Sequence, residues 1–179
     1  LINTGTSWQY YHQDSYSPVS LYAATKQAFH DLVAYYVKAE GFSAIDLILY
    51  DNYGENDRRP KLINLLHQFS DEKKVLDMSE GDQRLFFVHI MDVCCAYEKA
   101  IMLIDGREGD YQEYVVRGEQ SYSLKELIAI FEKVTSKKVL INWGKRPYRR
   151  REVMKPYDGG EVLPNWKPNI SLEEGLRLF

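Results

Sequence analysis

Residues 18–50 read PVSLYAATKQAFHDLVAYYVKAEGFSAIDLILY, and this stretch decides the fold. It divides at Gly41. On the N-terminal side, Leu21, Ala24, Ala28, Leu32 and Tyr36 recur at three- and four-residue spacing. That spacing predicts a helix over residues 18–40 with those side chains as its apolar stripe. Pro18 suits the first turn, where its missing N–H is no loss, and Gly41 ends the helix. On the C-terminal side, residues 44–50 (AIDLILY) form a short, nearly unbroken apolar run. Such a run predicts a strand covered on both faces, as in a parallel sheet.

The same alternation continues outward. Upstream, residues 1–8 read as a strand opening into a loop. Downstream comes the loop DNYGENDRR, full of turn formers. A helix is expected from Pro60 to about Lys74, then strands over 75–78 and 85–90 joined by a turn at Gly81. A helix over about 91–104 carries Val93, Ala96, Ala100 and Ile101 on one side, and 111–116 is strand-like. Ser123 with Glu126, and Ser171 with Glu174, are capping boxes that open two further helices, with a strand over 139–143 between them. Alternating strands and helices predict an α/β layered fold. The chain begins inside a strand and without Met, as expected for the C-terminal part of a longer protein, because a lone first strand leaves its edges and faces uncovered.

Composition removes several classes of function. The 179 residues are 45% hydrophobic and 27% charged, a globular mixture. A net charge of -3 gives no general pull towards nucleic acid. No apolar run is long enough to span a bilayer, and no secretory leader is read, so no membrane partner and a cytoplasmic location are expected. The only cysteines, Cys94 and Cys95, are read as buried thiols in a helix. The four histidines show no metal-ligand spacing, and no metal is expected.

The strongest chemical signal is Tyr22-Ala-Ala-Thr-Lys26. Residues four apart on a helix share a face. A free tyrosine ionises near pH 10, and a lysine cation beside it favours the phenolate. The ammonium also has donors enough to hold a ribose hydroxyl. Taken alone, the pair is a weak signal in a chain with 14 tyrosines and reads first as a solvated surface pair. Its surroundings add weight: Asn3-Thr4-Gly5-Thr6 offers hydroxyls at a strand end, and Leu49-Tyr50-Asp51-Asn52-Tyr53-Gly54 runs from a buried strand into a polar loop. Ligands of open α/β sheets bind beyond such strand ends. Arg146, Arg149 and Arg151 lie in KRPYRRR, a candidate grip for a diphosphate or else a basic surface loop.

Strand–Thr, then Tyr-x-x-x-Lys, then strand–Asn-Tyr-Gly resembles the extended short-chain dehydrogenases/reductases. These are the NAD-dependent epimerase/dehydratase group of nucleotide-sugar epimerases, 4,6-dehydratases and 4-ketoreductases. The resemblance covers nearly the whole chain, through Pro60-Lys61-Leu62, His89-Ile90-Met91-Asp92-Val93 and Leu163-Pro164-Asn165-Trp166-Lys167-Pro168. Within the group it is nearest to 4-ketoreductases of the CDP-abequose synthase type, by residues 3–9, 21–26, 51–61 and 78–81. It implies part of a Rossmann-type parallel sheet plus a smaller α/β substrate domain. Residues 1–56 would be the remnant of the dinucleotide domain, and 57–179 mainly the nucleotide-sugar domain, with a return of 84–104 to the Rossmann part.

The resemblance also implies roles. Tyr22 would be the general acid/base, Lys26 its tuning cation and ribose ligand, and Thr4 the hydroxyl beside the reacting oxygen. Thr4, Tyr22, Lys26 and Tyr50 would meet the cofactor. Thr6, Asp51, Asn52, Lys61 and Leu62, with the three arginines, would meet a nucleoside-diphosphate sugar. The cofactor would be NAD or NADP, although the glycine-rich turn that holds its pyrophosphate in the family has no counterpart here. Dehydratases carry Asp-Glu where this chain has Gly5-Thr6, so dehydration is not expected. The family's usual substrate Asn aligns with Asp51, and its strand Arg with Leu85; Arg84, one place early, belongs to the opposite face. Reduction of a 4-keto sugar in O-antigen synthesis is the reading, with 4-epimerisation or a non-catalytic sugar-nucleotide-binding fragment as alternatives. Pairing as a homodimer, or with the missing half, is the expected assembly.

Overall fold

The computed structural model describes residues 1–11, 16–106 and 108–179. In chain order the elements are β1 (Ile2–Thr6), a 3₁₀ turn (Ser7–Gln9), α1 (Leu21–Glu40), β2 (Ala44–Leu49), β3 (Asp51–Tyr53), α2 (Leu62–Asp71), β4 (Val75–Asp77), β5 (Arg84–His89), α3 (Ile90–Ile104), β6 (Tyr111–Val116), β7 (Ser121–Ser123), α4 (Leu124–Thr135), β8 (Leu140–Asn142) and α5 (Leu172–Leu176). β1, β2 and β6 form one parallel sheet in that order. β3 pairs in parallel with β5, which pairs antiparallel with β7, and β4 pairs in parallel with β8.

β2 is the centre of the first sheet, and its apolar run has a use on both faces. Ile45 and Leu47 pack against Val93, Ala96 and Ala100 of α3. Ala44 packs on the other face, against Val33 and Val37 of α1. α3 and β6 therefore return to the sheet begun by β1 and β2, so residues beyond 57 contribute a strand as well as a helix to it. A second core gathers Leu66, Phe87, Leu127, Phe131, Leu172 and Leu176 from α2, β5, α4 and α5. The start of α3 is tied to the C-terminal segment: buried Asp92 accepts the backbone N–H groups of Asn169 and Ile170, each at 3.0 Å.

Several expectations need correction. The helix starts at Leu21, capped by Ser20, whose hydroxyl accepts from the N–H of Ala23; Pro18 lies outside it. The expected apolar stripe is the wrong one: Leu21, Leu32 and Tyr36 are 81%, 56% and 50% exposed, while Ala23, Val33 and Val37 face the sheet. A helix rich in apolar side chains all round does not announce its buried face. On α3, Ile101 is likewise exposed. α2 begins at Leu62, two residues after Pro60. The strands on either side of Gly81 do not pair with each other; its φ of 85° makes the turn there, against the ring of Trp143. β3, at the start of the expected loop DNYGENDRR, and β7 were not expected, because three-residue strands exist only through their partners. Cys94 is exposed and Cys95 half-buried, so they are not the buried pair expected. His12 lies outside the described residues.

Phe131 is fully buried against the second core. Phe131→Ala should lower the stability of residues 1–179 by about 3–5 kcal/mol in urea denaturation, the usual loss for such a cavity. A loss below about 1 kcal/mol would contradict this packing.

Candidate active site

α1 is placed so that its first turns stand beside the end of β1. Lys26 donates from Nζ to the carbonyl of Thr4 at 2.9 Å, which among the described residues leaves two of its donors free. Tyr22, one turn earlier, is about half exposed (54%). The hydroxyl of Thr4 is hydrogen-bonded to the hydroxyl of Tyr97 on α3. The structure thus brings Thr4 and Lys26 together through the Thr4 carbonyl, while the Thr4 hydroxyl is oriented from α3. Thr6 caps the 3₁₀ turn: its hydroxyl accepts from the N–H of Trp8 at 3.4 Å, and its own N–H donates to Gln9 Oε1 at 2.8 Å. Gln9, fully buried, donates in turn to Gln27 of α1 at 2.8 Å. Gly5 has no room for a side chain, since a Cβ there would lie 2.3 Å from Ile48 Cδ1.

Beyond the junction of β2 and β3 is a cavity of about 250 Å³. Asp51, Asn52, Lys61 and Leu62 all line it, together with Trp8, Asn64, Leu85 and Phe87, which sequence reasoning did not assign to a site. Lys61 donates to the Asn52 carbonyl at 3.0 Å and to Asn52 Oδ1 at 2.9 Å. Burial lowers the pKa of Lys61, and the nearby Arg59 adds to the effect. Burial pushes the Asp51 carboxyl up to about 6, although Lys61 and Arg149 oppose the shift. A second hollow of about 260 Å³ adjoins, sharing Asn52, Tyr53, Gly54 and Asp57 and adding Glu55 and Arg59. There the bidentate Arg59 holds Asp57 down to about 2.

The remaining candidates are dispersed. Tyr50 is buried and donates its hydroxyl to the carbonyl of Tyr157 at 2.8 Å, so its side chain is engaged within the fold rather than open to a cofactor. None of the three arginines lines either hollow. Arg149 stands 5.6 Å from the ring of Trp8, Arg151 lies 4.2 Å over Tyr11 and donates to Ser17 at 2.8 Å, and Arg146 is exposed. Arg84 turns away from the cavity that Leu85 lines and pairs with Glu126 at 3.1 Å. One cluster escaped the sequence reading because its members are far apart in the chain: His30, Asp46 and Glu113 crowd together under α1. Tyr97 escaped it for the same reason, 93 residues from Thr4.

A family model described as the NAD dependent epimerase/dehydratase family matches residues 5–116, more than half of the chain. The chain belongs to that family. Among its relatives are CDP-abequose synthase of Salmonella muenchen, 28% identical over 93% of this chain and 57% of the relative, and CDP-abequose synthase of Yersinia pseudotuberculosis, 26% identical over 87% and 54%. The chain thus spans about half the length of the curated relatives it matches. Solved structures of the same Rossmann-type fold include UDP-glucose-4-epimerase from Stenotrophomonas maltophila with bound NAD and formylated UDP-arabinopyranose. It has a TM-score of 0.83 at 15% identity, over 99% of this chain and 61% of that one. MoeE5 in complex with UDP-glucuronic acid and NAD aligns with a TM-score of 0.80 at 19% identity, over 98% and 61%.

For an epimerase/dehydratase family member, the geometry separates two kinds of group. Tyr22 and Lys26 offer proton and hydrogen-bond chemistry at the end of β1, and the cavity past β3 offers a partly desolvated carboxylate beside an ammonium. The second feature has a measurable consequence. A carboxyl whose pKa is raised in the fold opposes folding once ionised, fully above the raised value and progressively less as pH falls towards its ordinary 3.8. Asp51→Asn should therefore raise the melting temperature of residues 1–179 more at pH 8 than at pH 4.5. Equal shifts at both pH values would contradict the burial of Asp51.

Proposed function

We propose that the full protein is an NAD(P)-dependent oxidoreductase acting on a nucleoside-diphosphate sugar, and that it reduces a 4-keto group. The observation that carries this reading is β1 beside the first turns of α1. Tyr22 stands accessible, Lys26 holds the Thr4 carbonyl, and no acid follows Thr4. Water elimination needs a carboxyl at that point; Gly5 is sealed by Ile48 and Thr6 caps a turn, which argues against a dehydratase.

The cofactor fits the residues present. Lys26 has donors to spare and Tyr22 an exposed hydroxyl, and these two would hold the nicotinamide ribose. When bound, the cofactor supplies hydride. Tyr22 then gives its proton to the sugar oxygen, so that the carbonyl becomes a hydroxyl, and Lys26 restrains the charge left on the phenolate. Thr4 contributes through its backbone carbonyl, which holds Lys26, while its hydroxyl is turned to Tyr97 on the α3 face. The substrate's nucleoside diphosphate lies in the cavity past β3, where Asn52, Lys61 and Leu62 contact it and Arg149 stands behind Trp8. The CDP-abequose synthase relatives support the nucleotide-sugar class.

In the full-length protein, Tyr22→Phe should cut kcat by about 10²–10⁴-fold while KM for the nucleotide sugar stays within a few-fold. Turnover is followed by loss of reduced-nicotinamide absorbance with a 4-keto sugar nucleotide. Near-wild-type kcat in that variant would sink the mechanism. Interconversion of two 4-hydroxy sugars without net use of the reduced cofactor would replace reduction by epimerisation.

A further inference from the structure

The face of α1 that meets the sheet runs Ala23, Lys26, His30, Val33, Val37, at three- and four-residue spacing. Two of its five positions are polar. The apolar contacts lie at the far end, where Val33 and Val37 pack on Ala44. The N-terminal half, which carries Tyr22 and Lys26, is held to the rest by little apolar surface beyond Ala23. Its other ties are polar: the Gln9–Gln27 bond, Lys26 on Thr4, and His30.

His30 has the densest of these contacts. Its Nδ1 lies 3.0 Å from Oδ2 of Asp46, which is fully buried on β2. The same oxygen accepts from Asn3 of β1 at 3.1 Å and from the hydroxyl of Tyr111 of β6 at 3.3 Å. Tyr111 also meets His30 Nδ1 at 2.6 Å. Glu113 of β6 stands 3.6 Å from His30 and accepts the hydroxyl of Tyr10 at 2.6 Å. One side chain of α1 thus faces groups from all three strands of the sheet. Two carboxylates meet there, and among the described residues Asp46 Oδ1 has no hydrogen-bond partner; Asn3, Tyr111 and Tyr10 supply neutral donors, and His30 is the group there that can supply positive charge.

We propose that His30 is a positioning residue: as an imidazolium whose Nδ1 faces both Asp46 and Glu113, it fixes α1 over the sheet and so sets Lys26 against the Thr4 carbonyl and Tyr22 one turn beyond. This rests on the reading of Tyr22 and Lys26 given above. On a helix rising about 1.5 Å per residue, His30 is about 6 Å from the level of Lys26 and about 12 Å from that of Tyr22. A tilt at the clamp is therefore carried to both. The hydrogen bond that His30 donates to Asp46 raises the pKa of His30 above its ordinary 6.5; burial opposes this, and the charges of Asp46, Glu113 and Asp31 add to the rise. The clamp is at full strength below 6.5 and is lost as pH rises through the raised value.

The test has two parts. In residues 1–179, proton NMR titration of the histidine Cε1 protons, with His30→Gln to assign the resonance, should place the midpoint of His30 above 6.5, and Asp46→Asn should bring it down. In the full-length protein at pH 6, His30→Gln should lower kcat about 10–100-fold, as small misplacements do, with KM for the nucleotide sugar within twofold. The deficit should shrink as pH rises, because the wild type then loses the same clamp. Asp46→Asn should reproduce it, and the double variant should be no worse than either single one. A His30 midpoint at or below 6.5 in the unmutated chain overturns the proposal, and so does a kcat deficit that is absent or independent of pH. Tyr22→Phe, assayed alongside, reports separately on the reading beneath it: full turnover there would overturn the role of Tyr22 whatever His30 does.

Discussion

β2 is covered on both faces, paired on both edges, and continuous through Tyr50 with a strand of the other sheet. This constraint organises the rest. With both faces buried, the residues of β2 are apolar apart from Asp46, and α1 covers one side and α3 the other. Because β3 follows after a single residue, the direction of β2 also sets where the second sheet begins. The cavity lined by Asp51 and Asn52 lies at that crossing, outside the carboxyl end of a parallel strand, where ligands of open α/β sheets are held. Its position follows from the strand arrangement; its chemistry follows from the side chains that the 3₁₀ turn and α2 bring to it.

Three aspartates near this frame meet low dielectric in three ways. Asp92 is satisfied by two backbone N–H groups and joins α3 to the C-terminal segment, a structural use of a buried charge. Asp46 has side-chain partners from α1, β1 and β6 on one of its oxygens, His30 among them. Asp51 has Lys61 nearby but no comparable set of donors, and its carboxyl is the one pushed up to about 6. Burial of a carboxylate with few donors costs more than burial of a paired one, and the carboxylate that meets this cost at the cavity is Asp51. Uncompensated groups of this kind mark places where a ligand can complete the set.

Much of this was legible in the sequence, and the failures have physical causes. Residues 44–50 read as a buried parallel strand because nothing polar but Asp46 interrupts them, and both capping boxes form as spelled by Ser123–Glu126 and Ser171–Glu174. The face of α1 was misread because Leu21, Leu32 and Tyr36 are more hydrophobic than the Ala23 stripe that is buried. Periodicity ranks side chains by polarity and cannot see that Lys26 and His30 are drawn inward by partners on the sheet. Asp51, Asn52, Lys61 and Leu62 do converge, but Trp8 joins them through a 3₁₀ turn that has no sequence period. Tyr97 and Asp46 act through pairs separated by 93 and 16 residues, and a single sequence carries no record of such pairs.

β1 is where packing and chemistry constrain one another most tightly. Its odd and even positions face opposite helices, so Thr4 sends its hydroxyl to Tyr97 on α3 while Gly5 is pressed against Ile48 on the α1 side. Introducing an acid at position 5 would require Ile48 to move, and Ile48 packs with Tyr10, Tyr50, Phe86 and Val115. It would also place a third carboxyl within reach of Asp46, whose Oδ1 would lie 3.1 Å from the new Cβ. Steric and electrostatic costs therefore act together against a carboxyl beside Thr4. Under the proposed reaction, the absence of elimination chemistry is thus built into the packing beneath the catalytic helix: the buried Asp46 that partners His30 also keeps the neighbouring position free of negative charge.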